Sequence, residues 1–398
     1  MQIVHVVNSV NPMNGGPIEG VKQLAAALYT LGHTVEVASL DDPAASYAKA
    51  FPLPLYALGP SFHRYRFSSA LVPWLRENAR RYDVVVVNGI WGYASFGTWR
   101  ALRQSGTPYA IFTHGMLDPW FKHQYPLKHL KKWLYWPWAE YRVLRDASAV
   151  IFTSEEERLL ARRSFWLYAA RERVVNYGTA LPNGDPEVQK NAFFDRFPKT
   201  RGKRLVLFIG RIHPKKGCEL AIRAFASVMG EGPDWHLVMA GPDQIGWQRE
   251  LSEMADSLGL ADRTTWTGML TGDVKWGSIR ASEVLLLPSH QENFGIVVAE
   301  ALACGVPTLI SNKVNIWREV EDAGAGLVAD DNVQGATQLL RSWIGMSAEQ
   351  RYRMRLRAKA CFEEQFAIGR AAMSLIRILS SLTASGTFAK SNASLSTP

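Results

Sequence analysis

The sequence predicts an α/β protein of two Rossmann-like, doubly wound domains facing each other across a cleft. Three observations point there. Short, near-continuous runs of Val, Ile and Leu alternate with helical periodicity, which suits parallel strands covered on both faces. The alternation breaks off in a polar stretch with Pro and Asn and then starts again, as two copies of one architecture would. A length of 398 residues is too great for one ordinary core and suits two domains.

In the first half IVHVV (3–7), TVEVASL (34–40), DVVVVNG (83–89), YAIFTHG (109–115) and AVIFTS (149–154) read as buried strands. Segments such as EGVKQLAAALYTLG, ending at Gly32, read as the helices between them. After Pro182–Lys203 come RLVLFIG (204–210), HLVMAGP (236–242), TTWTG (264–268), VLLLPS (284–289) and PTLIS (307–311). The expected organisation is therefore an N-terminal domain over 1–182, a linker over 183–203 and a C-terminal domain over 204–365. A helix over 366–382 is expected to cross back to the first domain, and the Ser/Thr/Ala-rich 383–398 to be a disordered tail.

A hydrophobic share of 47% and a charged share of 20% exclude a disordered chain. No apolar run reaches the roughly eighteen residues of a membrane span. MQIVHVVNSV has no basic n-region and enters a strand at once, so no cleaved signal is expected. Cys218, Cys304 and Cys361 are odd in number and far apart, which fits a reducing cytoplasm. The net charge of +9 asks for an anionic partner. Residues 120–146 carry six Lys and Arg against two acids, interleaved with Trp120, Phe121, Trp133, Trp136, Trp138 and Tyr141. That pattern is either an interfacial helix on the inner leaflet of a membrane or a solvated helix whose aromatics pack inward. No nucleic-acid-binding module is recognisable, so nucleic acid is not expected as a partner.

Ligands of open α/β sheets bind where strands end and helices begin. Four such turns stand out. GRIHPKKG places Arg211 and Lys216 after the first strand of the second half, a fork and a point charge suited to a diphosphate. In PSHQENFGIVVAEALACG, Glu292 precedes a helix that starts near Gly295, with the free amides of Phe294, Gly295 and Ile296 at its mouth and Glu300 inside. The two acids can grip different parts of one polyhydroxyl ligand; the alternative is a helix-dipole acid beside a surface Glu. NSVNPMNGGPIEG sets Gly15 and Gly16 between strand and helix, where backbone can approach a ligand. FTHGMLDPW puts His114 and Gly115 at the end of a strand. Asp41–Asp42 and Asp330–Asp331 could be metal carboxylates, but each is expected in a surface loop, and no metal is expected.

Together these features resemble glycosyltransferase family 4, retaining enzymes with the GT-B fold, over nearly the whole chain. The match rests on Glu292-x-Phe294-Gly295-x(4)-Glu300, similar to the family's E-x(7)-E element, with Arg211-x(4)-Lys216 before it. The resemblance implies Arg211 and Lys216 on a donor diphosphate and Glu300 on the ribose. It implies Glu292, Asn293 and the amides of Phe294, Gly295 and Ile296 on the transferred sugar. Gly15 and Gly16 would approach the phosphates, His114 would lie beside the sugar, and Met269 and Leu270 of TGML would meet the nucleobase. The HGMLDPW-like run is similar to members that build bacterial exopolysaccharide or lipid-linked glycans. Asn293 stands where many relatives have Gly, and Asn88 where a His is frequent, which bears on sugar and acceptor choice.

The resemblance implies transfer of a hexose, first guess glucose from UDP-glucose with a GDP-sugar second, to a glycan or lipid-linked acceptor. Retention is expected through front-side displacement, because no residue marks a far-side carboxylate nucleophile. No cofactor or metal is expected: Arg211, Lys216 and the helix amides would carry the developing charge, and domain closure would exclude water. Two other readings share the architecture, a nucleotide-sugar epimerase and a non-catalytic, membrane-docked assembly partner.

Overall fold

The computed structural model describes residues 1–14, 16–228, 230 and 234–393, with 14, 123 and 384–393 described by backbone alone. The chain forms two units, one of Met1–Gly178 with the chain from Ile368 onward, the other Thr179–Ala367.

Seven strands build the sheet of the first unit: β1 (Gln2–Val7), β2 (Thr34–Ser39), β3 (Leu55–Ala57), β4 (Val84–Asn88), β5 (Tyr109–Phe112), β6 (Ala149–Phe152) and β7 (Glu172–Val174). Their order is β3-β2-β1-β4-β5-β6-β7, and every pairing is parallel. The Val runs mark this sheet because both faces are covered: Val84 to Val87 are all 0% exposed. Alternate residues serve opposite faces. Val85 and Val87 pack with Leu71, Leu75 and Trp136, whereas Val84 and Val86 pack with Leu24, Leu28, Leu375 and Leu379. The register pairs Asn88 with Val7 on one side and Phe112 on the other, so the carboxyl ends of β1, β4 and β5 are level.

The final helix, Ile368–Ala393, supplies Leu375 and Leu379 to that core and packs on the helix Gly16–Thr30. It follows the helix Ala348–Cys361, a π-helical turn over Phe362–Phe366, and Ala367, which bridges to Thr179. The tail expected from 383 therefore begins as helix, the continuation of Ile368–Ala393, and no proline interrupts it there. Residues 394–398 of that expectation lie outside the described residues.

The second unit repeats the pattern with β8 (Arg204–Ile209), β9 (Trp235–Ala240), β10 (Thr264–Gly268), β11 (Val284–Leu287), β12 (Thr308–Ser311) and β13 (Gly326–Ala329). The order is β10-β9-β8-β11-β12-β13, all parallel. The winding reverses between β8 and β11, which opens the crevice that ligands of such sheets use.

The expected linker is a correction, since 183–203 holds the helix Pro186–Arg196 of the second unit. Asp185 caps it by accepting from the Glu187 and Val188 amides at 2.8 and 3.0 Å, Pro186 opens its first turn, and Phe193 is 0% exposed. Asp41 is a second correction. It is 1% exposed rather than on a surface loop, because it accepts from the Ser9 hydroxyl at 2.6 Å, the Val10 amide at 2.7 Å and Arg66 at 3.2 Å. Among the described residues no group of three or more His, Cys, Asp or Glu is disposed to hold a metal ion.

Candidate functional site

In the second unit the turn after β8 and the turn after β11 are stitched together by backbone. His290 donates its amide to the Lys215 carbonyl at 2.9 Å. Gly217 has φ +70, and a Cβ there would stand 2.1 Å from the Pro288 carbonyl oxygen, so only glycine lets the two turns approach this closely. The consequence is an ion pair between Lys216 Nζ and Glu292 Oε2, made by residues 76 positions apart. Burial, then the charges of Lys215 and Arg211, push the Lys216 ammonium down to about 7, and Cys218 opposes that shift. His213 caps the same turn by accepting from the Lys215 amide at 3.1 Å, and it too is lowered, first by burial and then by Arg211, Lys215 and Lys216. Arg211 itself is exposed. Crowded cations at a strand end favour a multiply charged anion.

The helix Ile296–Ala303 begins from Gly295, whose φ of +71 turns the chain out of the loop. Phe294 is buried edge-on against Phe366 at 5.7 Å, which fixes the loop that carries Asn293. Glu300 is 4% exposed, and its Oε1 accepts from Lys275 Nζ at 2.6 Å. The structure therefore pairs the two acids with two different lysines, Glu292 with Lys216 and Glu300 with Lys275. Lys275 lies on the helix Gly272–Ala281 that follows Met269 and Leu270, of which Met269 is exposed and Leu270 buried. No periodicity in the sequence singles out Lys275.

In the first unit His114 opens the turn after β5 with φ +47. Its Nε2 meets Asn88 Oδ1 at 3.2 Å, and Asn88 Nδ2 meets His5 Nδ1 at 3.0 Å. In that chain Asn88 Oδ1 accepts from His114 Nε2–H, which leaves His114 Nδ1 as an acceptor. Burial holds both imidazoles at about 4, with His114 adding to the shift of His5 and the Asn88 hydrogen bond opposing it. Glu157 clamps the turn. Its Oε1 accepts from the Thr113 hydroxyl at 2.6 Å and the Gly115 amide at 2.5 Å, and its Oε2 from the Thr153 amide and hydroxyl at 2.6 and 2.7 Å. The signal for this residue was the pattern Ser154-x-x-Glu157, a capping-box spacing whose acid turns instead to the strand ends.

Gly15 lies outside the described residues, and Gly16 opens the helix Gly16–Thr30. Tyr177 links that helix to His114: its hydroxyl donates to the Pro17 carbonyl at 3.5 Å, and its ring stands edge-on to the imidazole at 5.9 Å. The segment 120–146 is helical over Trp120–Gln124, Pro126–Tyr135 and Glu140–Asp146. Its aromatics divide: Trp136 is fully buried, whereas Trp133 and Trp138 are exposed. Among the described residues no helix is long and apolar enough to cross a membrane.

The chain matches the family described as "Glycosyl transferases group 1" over residues 189–360 and "Glycosyl transferase 4-like domain" over residues 15–178. It is 30% identical over 194 residues to alpha-D-kanosaminyltransferase of Streptomyces kanamyceticus, covering 48% of this chain and 49% of that one. It is 36% identical over 194 residues to D-inositol 3-phosphate glycosyltransferase of Rhodococcus jostii (strain RHA1), covering 44% and 42%. The chain thus spans about half the length of these curated relatives. Among solved structures, sucrose-phosphate synthase from Thermosynechococcus elongatus is similar with a TM-score of 0.74 at 21% identity, over 97% of this chain and 100% of that one. Anabaena HepE in complex with UDP-glucose is similar with a TM-score of 0.75 at 19% identity, over 96% and 100%. With one family description matched in each half and the same fold found along nearly the whole chain, the protein belongs to the GT-B glycosyltransferases of the family 4 type.

Proposed function

We propose that this chain transfers a hexose from a nucleoside-diphosphate sugar to an acceptor hydroxyl with retention at the anomeric carbon. The donor is UDP-glucose, with a GDP-sugar as the second choice, and the acceptor is a glycan or lipid-linked saccharide of a bacterial polysaccharide pathway. The observation that carries this reading is the meeting of Lys216 and Glu292, with Arg211 beside them, at the point where the second sheet reverses its winding. Diphosphate oxygens compete with Glu292 for the Lys216 ammonium, which frees the carboxylate to accept from sugar hydroxyls. Lys275 holds Glu300 in place near the turn of Met269 and Leu270, consistent with a ribose and base subsite.

In the transfer step the bond from the anomeric carbon to the diphosphate oxygen breaks and the bond to the acceptor oxygen forms on the same face. The acceptor proton passes to the departing diphosphate oxygen. Arg211, Lys216 and the amides of Gly295 and Ile296 stabilise the charge that develops there, so no metal is required and transfer persists in a chelator. His114 stays neutral, and its Nδ1 accepts from a hydroxyl of the transferred sugar. The relatives' printed activities, kanosaminyl and inositol-phosphate glycosyl transfer, support the reaction class and leave the sugar open. The exposed Trp133 and Trp138 among lysines support docking at the inner leaflet of a membrane, where a lipid-linked acceptor resides.

The test is incubation of the full chain with UDP-glucose or GDP-mannose and a panel of glycan and lipid-linked acceptors. Acceptor-dependent release of UDP or GDP, with the equatorial anomeric proton of the α-linked donor kept in the product spectrum, supports the reading. Isomerised donor without acceptor points to an epimerase, and donor binding without turnover on any acceptor points to an assembly partner; either outcome overturns it.

A further inference from the structure

Glu140 opens the helix Glu140–Asp146, where an acid normally faces water, yet it is 0% exposed and takes no part in the transfer step. Its Oε1 accepts from the Trp91 amide at 2.9 Å, and its two oxygens lie 3.1 and 3.2 Å from Ser95 Oγ. Ser95 Oγ is also 2.9 Å from the Gly92 carbonyl oxygen. A serine hydroxyl has one proton, so an ionised Glu140 and the Gly92 carbonyl compete for it. A neutral Glu140 removes the competition: its Oε2–H donates to Ser95 Oγ, the Ser95 proton goes to Gly92, and Oε1 keeps the Trp91 amide.

Burial pushes the Glu140 carboxyl up to about 7, against the Trp91 and Ser95 hydrogen bonds and the charge of Lys132. The titratable groups that face it are Lys132 and Tyr135 of the helix Pro126–Tyr135, Tyr65 of the loop ahead of the helix Leu71–Asn78, and Tyr109 of β5. Burial raises all three phenols, so none adds a negative charge near neutrality, and Lys132 is the cation of the group. The helix Tyr93–Leu102 presents the Ser95 hydroxyl, and at the far end of Glu140's own helix Asp146 is engaged by Arg145 at 2.7 Å and Trp99 Nε1 at 2.8 Å. What the carboxyl grips is the turn after β4. Trp91 has φ +71, a left-handed conformation rare outside glycine, and its amide is tied to Glu140. Its Nε1 donates to the Met116 carbonyl at 3.0 Å and the Ile90 amide to Met116 Sδ at 3.3 Å, which fastens this turn to the one that carries His114. On the other side a Cβ at Gly92 would stand 2.6 Å from Asn8 Oδ1, just beyond β1.

We infer that Glu140 is a positioning residue that works as a neutral acid: through Ser95 and Trp91 it locks the turn after β4, and through Met116 it sets the turn of His114. Loss of its proton returns Ser95 to two competing acceptors and loosens the lock. The effect on turnover rests on the reading that His114 meets the transferred sugar. The lock itself is read without turnover, so failure of transfer and failure of this inference are distinct.

The test follows the indole N–H resonance of Trp91, assigned by its absence in Trp91→Phe, across neutral pH in the full chain. In the wild type it should titrate with a midpoint near 7; in Glu140→Gln, which cannot ionise, it should hold its low-pH position. Denaturation gives a second reading. The folded chain binds the Glu140 proton at about 7 and an unfolded chain at 4.5, so the stability it contributes is complete below 4.5 and lost as pH rises to 7. Over that window the unfolding constant of the wild type should rise on the order of 100-fold relative to Glu140→Gln, with the two imidazoles common to both proteins. Turnover should fall by about tenfold through the same midpoint in the wild type at constant donor KM, and hold in Glu140→Gln. Should Glu140→Gln fail to fold, a Glu carboxyl-carbon resonance that titrates near 7 in the wild type, together with the Trp91 signal, decides in its place. A Trp91 resonance that stays flat in the wild type, one that titrates equally in Glu140→Gln, or equal stability profiles of the two proteins would overturn the inference.

Discussion

His5 and His114 are imidazoles held neutral by burial, and the cost appears in acid. The folded chain takes up their protons at about 4, whereas an unfolded chain does so at the ordinary 6.5. Protons therefore favour unfolding: this contribution to stability is complete above pH 6.5 and is lost as pH falls from 6.5 to 4, by roughly 3 kcal/mol per imidazole at most. Denaturant midpoints across that window, with His114→Asn flattening the profile, check the sign. Glu157 acts on His114 through backbone. In Glu157→Gln one of the two oxygens becomes an amide that faces donors, so the first unit should lose about 2–4 kcal/mol in denaturation. Nucleotide affinity should stay unchanged while turnover falls, since the proposed diphosphate contacts lie in the second unit. Among these residues His114 and Glu292 were legible because each sits in a motif at a strand end. Lys275 was not, because its only mark is a partner 25 positions away, and Glu157 carried a capping signal that it does not obey.

At the scale of elements, the central strands were readable because burial on both faces forces an unbroken apolar run. The edge strands β3, β7 and β13 were missed: β3 and β7 have three residues each, and Glu172 and Arg173 put charge into β7. Composition misled at 183–203, where Pro and Asn suggested a linker although Asp185-Pro186 is also a helix-opening pair. Phe193→Ala tests the correction. A linker would tolerate it, whereas a packed helix should cost the second unit about 3–5 kcal/mol in chemical denaturation. Leu375→Ala makes the matching test for the final helix. It should destabilise the first unit, not the second, by about 2–5 kcal/mol, because Leu375 is 0% exposed in the core beneath β4.

Across the whole molecule, both sheets repeat one strand order, and a net charge of +9 makes association with anionic surfaces sensitive to salt. The account turns on an anion site where β8 and β11 meet, built by the Gly217 approach and the Lys216–Glu292 pair. Calorimetric titration of UDP into the wild-type chain and into Arg211→Ala tests that site most directly, because Arg211 is exposed and its loss should leave the melting temperature of the free protein unchanged. The predicted result is measurable UDP binding that Arg211→Ala weakens by about tenfold or more. Equal UDP affinity in the two proteins would contradict it.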